Sequence, residues 1–298
     1  MANNKIIATG GERMKVLVMT ANGMFGNRVV KSLSERGVQV RAMVRDVGKF
    51  TMTNPNIEVV TADLDKPESL EPIMQDISRI FLASPIHPQM AQREMNVINA
   101  TRNHKVQHIV KIYGAVRHEG DFLDSLHLQV IEHLKQSHLK WALVSPNSVM
   151  ETSLMPMAES IKTENSIYGM SGHGKVGLVA LADVVKTVAL VLTEEEYDGN
   201  NYEVTGPEAL SLYDVAEKFS KVLGRKISYY DFSEDEFAKL IKEYSNMSDE
   251  KMEIQVLCHL RAWRNGKADL VTDTFQRLTN SRPTTLEQFI AAHIDFFQ

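Results

Sequence analysis

The most constraining stretch of this chain is VLVMTANGMFG, residues 16–26, in which an unbroken apolar run meets a tight, glycine-containing turn and then the start of a helix. An apolar run without alternation belongs to a strand buried on both faces, which requires parallel neighbours and helices above and below the sheet. The turn has a second property. Small residues at a helix N-terminus let a ligand approach backbone N–H groups, as a dinucleotide pyrophosphate requires. The usual spacing of such turns is G-x-x-G-x-x-G; here Thr20 stands at the first position, and Gly23 and Gly26 at the others. Two glycines after a strand also fit a purely structural turn.

The rest of the N-terminal half repeats this alternation. Residues 24–35 place Phe25, Val29, Val30 and Leu33 at helical spacing, with Gly37 as the stop. Strands are expected over residues 16–19, 38–44, 57–61, 79–83, 109–112 and 141–144. Helices are expected from Pro67 to about residue 76, over 88–103 and over 123–137. Together they predict an α/β fold, a Rossmann-like doubly wound parallel sheet. After Pro146 the rhythm loosens. Gly169, Gly172, Gly174 and Gly177 crowd a loop, residues 178–192 read as a packed helix and 202–204 as a strand. From residue 211 the chain reads as mostly helical, with no parallel-sheet rhythm. The expected organisation is a polar, flexible leader (residues 1–13), a dinucleotide-binding domain (14–150, with 176–205 returning to it) and a smaller, mostly helical C-terminal domain. That smaller domain (151–175 and 206–298) would cap the carboxyl ends of the strands.

Composition narrows the function classes. At 298 residues and 43% hydrophobic, the chain can bury a core without staples, and its single cysteine, Cys258, excludes both an intrachain disulfide and a cysteine zinc cage. The net charge of −5, with no Lys/Arg block, argues against nucleic acid. No apolar run reaches the length of a membrane span, so the cytoplasm is the default compartment. His127, His133 and His138 do not share one helix face with a carboxylate, so no metal site is expected.

Residues outside the turn support a nicotinamide dinucleotide. Arg45 ends the second strand where NAD-preferring folds carry an acid, and an Arg there accommodates a 2′-phosphate. NADP(H) is therefore expected over NAD(H), although the adjacent Asp46 keeps NAD(H) open. Lys49 lies just beyond, and Asp63 and Leu64 follow the third strand where an adenine would lie. The expected cofactor set is Thr20, Asn22, Gly23, Met24, Phe25, Gly26, Arg45, Lys49, Asp63, Leu64, Ala83, Ser84, His127, Pro146 and Asn147. On the substrate side, PIHP (85–88) follows the fourth strand and supplies His87. Tyr113 and Asn147 end strands facing the cleft. Lys111 carries less weight, its side chain being read as directed away from it. Met150, Met155 and Met157 are soft enough for a flat aromatic ligand, or serve as core filler.

Several strings resemble the NmrA-like family of atypical short-chain dehydrogenases: VRAMVR (40–45), ADLD (62–65), PESL (67–70), VKIYGA (110–115) and SPN (145–147). In the second half they are YEVTGPEAL (202–210), VLGR (222–225), GKADLVTDT (266–274) and RPTTLE (282–287). The resemblance implies NADP(H) on the glycine turn. It also implies reduction of quinone-like or dye-like aromatic small molecules, or, in regulatory relatives, dinucleotide sensing on behalf of a protein partner. This chain departs from the short-chain pattern Y-x-x-x-K. None of its eight tyrosines has Lys four residues on; Tyr113 comes nearest, with Arg117. On the helix before residue 141 the Tyr and Lys positions fall at Leu123 and His127. The His–Glu spacing of the reductase branch is met by Ile131, with Glu132 beside it, and its common Arg by Ser145. Leucine donates no proton, so ordinary carbonyl reduction is not expected. His127 and Tyr113 remain as candidate catalytic groups, with hydride passing directly to an electron-poor ring. His127 reads equally well as a half-buried helix histidine. The residues leave the oligomeric state open.

Overall fold

The computed structural model describes residues 14–116, 122–194 and 196–298. The expected leader and Arg117 lie outside these residues. In chain order come β1 (Lys15–Val18), α1 (Met24–Glu35), β2 (Gln39–Val44), β3 (Ile57–Thr61), β4 (Arg79–Leu82), α2 (Met90–Ala100), β5 (His108–Ile112), α3 (Phe122–Lys135) and β6 (Lys140–Pro146). The short α4 (Met150–Ser153) and α5 (Ala158–Glu164), then β7 (Ser166–Gly169), α6 (Leu181–Thr193) and β8 (Asn201–Val204), follow. Next are α7 (Leu212–Leu223), β9 (Ser228–Asp231), α8 (Glu234–Tyr244) and short helices to the end. Seven strands form one sheet in the order β3-β2-β1-β4-β5-β6-β8. The pairings from β3 through to β6 are all parallel, the α/β fold expected from sequence. The strand order reverses between β1 and β4, where an open α/β sheet leaves a crevice at its carboxyl ends. Among the described residues no helix is long and apolar enough to cross a membrane.

The chain divides into two compact units. The first holds the described residues up to Tyr113, with Leu126–Val144 and Val185–Tyr202; the second holds those of Gly114–Ser125, with Ser145–Val184 and Glu203–Gln298. A core of the first packs Leu17, Met43, Ile80 and Ile109 of the sheet against Val97 of α2 and Val130 and Leu134 of α3. The second has its own core, including Phe219 of α7, Trp263, Phe289 and Phe297. Its α7 begins with a capping box, in which Ser211 and Asp214 satisfy each other's backbone N–H groups.

Two expectations are corrected. The single helix starting at Pro67 is instead two 3-10 turns, Pro67–Ser69 and Glu71–Met74. Pro72 would sit inside the expected helix, where it lacks an N–H and clashes with the preceding turn. Nor is the region after residue 211 free of strand pairing, since β9 pairs in parallel with β7 in the register Ser166↔Ser228. The β9 sequence, SYYD, carries no apolar run to announce it.

At the amino ends of the strands three basic side chains lie abreast, Arg79 opposite His108 and His108 opposite Lys140. Arg79 donates to the carbonyls of Leu192 (2.8 Å) and Glu194 (3.1 Å), where α6 ends. Asp198 lies 3.1 Å from His108 Nε2 and 3.0 Å from Lys140. Burial pushes the His108 imidazole down to about 4; Asp198 opposes this, and Arg79 and Lys140 add to it. The folded protein thus holds His108 neutral, while the unfolded chain takes up a proton near the ordinary value of 6.5. Between these values the unfolded state binds more protons. Stability is therefore full above pH 6.5 and falls as pH drops towards 4. Between pH 7 and 5 the loss from this group is about 2 kcal/mol. Denaturant melts across that window are expected to show a shallower acid loss in His108→Gln, and an unchanged slope would refute the assignment.

Candidate functional site

The turn after β1 is closed by Gly23 N donating to Thr20 O at 2.7 Å, and Ala21 N donates to Met43 O at 2.8 Å, extending the contact with β2. Thr20 adopts the left-handed region, with φ 49°, at the position where the usual motif has its leading glycine. Its hydroxyl donates to Ala83 O (3.1 Å), just beyond β4. Such a bond offsets part of the roughly 1 kcal/mol or more that left-handed geometry costs a residue with a Cβ. Gly23 and Gly26 are required by contact rather than by φ. A Cβ at position 26 would fall 2.3 Å from Thr20 O and 2.9 Å from Met19 O, and one at 23 would fall 3.0 Å from Thr20 O. Gly23 caps the 12-residue α1 without a side-chain hydrogen bond, and no acid stands in its first turn. The first N–H groups of α1, at Met24, Phe25 and Gly26, are therefore left to an anion at the positive end of the helix dipole. Asn22 beside them is exposed, and Met24 and Phe25 are half-buried. These features fit a dinucleotide pyrophosphate.

Past β2, Arg45, Asp46 and Lys49 are all exposed. The Asp46 carboxylate turns back to accept from Gly48 N at 3.0 Å and lies 3.9 Å from Lys49 Nζ. Past β3, the Asp63 side chain accepts from Asp65 N at 3.1 Å and Leu64 is buried. Asp65 takes two bonds from Arg93, each 2.7 Å. Those bonds hold its carboxyl below the usual range, and the charge of Arg93 adds to them against a small desolvation cost.

Past β4, the Ser84 hydroxyl donates to Glu94 Oε1 at 2.9 Å, and the other oxygen of Glu94 pairs with Lys111 of β5. His87 is half-buried, its Nδ1 accepting from Gln89 N at 3.1 Å, just before α2. Tyr113, just past β5, and His127 of α3 meet edge to face with ring centroids 5.2 Å apart. The structure thus brings the two candidate catalytic groups together inside the first unit. Pro146, Asn147 and Met150 belong to the second unit and are buried there. The Asn147 side chain donates to Ala268 O (2.9 Å) and accepts from Ser148 N (2.8 Å), and Met150 is part of the hydrophobic core. Leu123 is likewise buried. Glu94 is not singled out by the sequence. A glutamate between Arg93 and Met95 on an amphipathic helix gives no sign that it points inward.

The family model of the NmrA-like family matches residues 12–290. An NAD(P)H azoreductase from Xenophilus azovorans is 27% identical over 289 residues, covering 95% of this chain and 99% of that protein. Two solved structures are similar in fold. The Escherichia coli NADPH-dependent quinone oxidoreductase complexed with NADPH has a TM-score of 0.84 and 23% identity, over 94% of this chain and 100% of that one. Citrobacter sp. triphenylmethane reductase has a TM-score of 0.84 and 22% identity, over 95% and 99%.

Gly26→Ala places its Cβ against backbone that cannot give way. The expected outcome is a loss of about 3 kcal/mol in denaturant melts, together with loss of the melting-temperature rise on adding NADPH. Thr20→Gly removes both the left-handed cost and the bond to Ala83, terms of about 1 kcal/mol each. Its stability is expected within about 1 kcal/mol of the wild type, and a larger change in either direction would show that one term dominates.

Proposed function

The chain belongs to the NmrA-like family, and from that premise we propose that it is an NADPH-dependent reductase of quinone-like or dye-like acceptors. The observation that carries dinucleotide binding is the uncapped N-terminus of α1, set by Gly23 and Gly26 beside the point where the strand order reverses. NADPH is preferred over NADH because Arg45 is exposed at the end of β2, while the neighbouring acid, Asp46, spends its carboxylate on Gly48 and Lys49. A guanidinium matches a 2′-phosphate, whereas a carboxylate directed elsewhere does not serve a ribose diol. The names of similar proteins, an azoreductase, a quinone oxidoreductase and a triphenylmethane reductase, support a reductive role on conjugated acceptors.

When bound, NADPH supplies the hydride. The protein's contribution is placement: the first turn of α1 holds the pyrophosphate and Arg45 the 2′-phosphate. Tyr113 and His127 present an aromatic edge and a polar ring against which a flat acceptor is oriented. Leu123 stands where a proton-donating tyrosine would be expected, so the chemistry suits acceptors that are electron-poor enough to take a hydride without an acid.

Stopped-flow decay of the reduced-nicotinamide absorbance against a panel of quinones, azo dyes and triphenylmethane dyes tests this. Tight NADPH binding without turnover on any of them would sink the reductase reading and leave a redox sensor acting on a protein partner. Arg45→Ala is expected to weaken NADPH by about tenfold to a hundredfold, a charged contact of roughly 1.5–3 kcal/mol, and to leave NADH little changed. Tyr113→Phe is expected to keep kcat within about tenfold, because general acid catalysis worth a hundredfold or more is not being used. A larger fall would put the phenol into the chemistry.

A further inference from the structure

Beneath the loop that follows β4 lies an ion pair with almost no solvent. The Lys111 side chain is 0% exposed and that of Glu94 2%. Taking two such charges out of water costs several kcal/mol each, and well-packed apolar residues commonly serve a core as well or better. Stability alone therefore does not account for the pair. Its geometry shows another use. One Glu94 oxygen is occupied by Lys111, which fixes the carboxylate, and the other accepts from the Ser84 hydroxyl at 2.9 Å. Ala83, the preceding residue, accepts from Thr20 in the glycine turn at 3.1 Å. Two consecutive loop residues are thus tied, one to the turn after β1 and the other to α2. These two strands flank the reversal of sheet order, so the loop borders the crevice in which a ligand of such a sheet lies.

We propose that the buried Glu94–Lys111 pair is an anchor that holds Ser84, and through it the loop following β4, in the place the dinucleotide needs. Glu94 is then a positioning residue for cofactor binding that does not touch the cofactor. This rests on the dinucleotide reading above.

Two double variants of the full chain separate anchoring from packing. Both remove the ion pair, but Glu94→Gln with Lys111→Met leaves Ser84 an acceptor, whereas Glu94→Met with Lys111→Met does not. In calorimetric titration with NADPH, the first is expected to bind within about threefold of the wild type and the second about tenfold more weakly. The two should melt within a few degrees of each other. Equal NADPH affinity in the two doubles would overturn the anchor role while leaving the dinucleotide reading intact; a wild-type chain that binds neither NADPH nor NADH would overturn both. Should the methionine pair not fold, Ser84→Ala is expected to bind about tenfold more weakly. Wild-type affinity in Ser84→Ala would then overturn the proposal.

Discussion

The contact on which the first unit depends is the approach of Gly26 to the carbonyl of Thr20, where a side chain's first carbon would have only 2.3 Å. That approach lets β1 turn directly into α1, so the helix begins beside the carboxyl end of its own strand. Because β1 lies between β2 and β4, the helix N-terminus is delivered to the point where the strand order reverses. Several other features of the candidate site are referred to this turn. Ala83 is bonded to it, Ser84 follows Ala83, and Arg45 ends the strand beside it. The missing leading glycine changes little here, since Thr20 adopts the left-handed conformation and uses its hydroxyl to hold the neighbouring strand's loop.

The two ends of the sheet treat buried charge differently. At the amino ends, Arg79, His108 and Lys140 lie abreast with Asp198 as the carboxylate between the last two. The row is tolerated because burial keeps His108 neutral at physiological pH and Arg79 is satisfied by backbone carbonyls. At the carboxyl ends, a fully buried lysine is matched to one carboxylate, and that carboxylate serves a loop serine as well. The first arrangement is a matter of stability. The second has a geometric consequence, because it is the one connected to the loop bordering the crevice.

What the sequence reveals and what it hides follow a physical division. Residues 24–35 and 57–61 are legible to their ends, because a helical apolar stripe stopped by Gly37 and a compact β-branched run are local signals. The single helix expected after Pro67 fails because Pro72 breaks it, a signal that the start at Pro67 overshadows. β7 and β9 are hidden because each has only four residues and gains its pairing from the other, more than sixty positions away, rather than from its own pattern. In the site, the glycine turn and Arg45 are visible as motifs with a place on the chain. Glu94 is not, since its burial depends on Lys111 and Ser84, which no periodicity links to it. Asn147 reads as facing a cleft from its place at a strand end, and nothing in the sequence announces the bonds its amide makes within the second unit to Ala268 and Ser148.

The absence of a Tyr and Lys pair bears on which reactions such a site can carry. When a carbonyl carbon receives a hydride, the π pair moves to its oxygen as an alkoxide far more basic than water, so the reduction needs an acid in place. A quinone or a cationic dye delocalises or neutralises the incoming charge over its own conjugated system, and the demand on the protein falls to alignment and exclusion of solvent. Alignment depends on how well the binding surface is held, which here means a turn with no room for a side chain and a loop tied at two consecutive residues. A site that works by alignment depends on how firmly its binding surface is held, and a buried ion pair tied to the loop bordering the crevice is understandable on those terms.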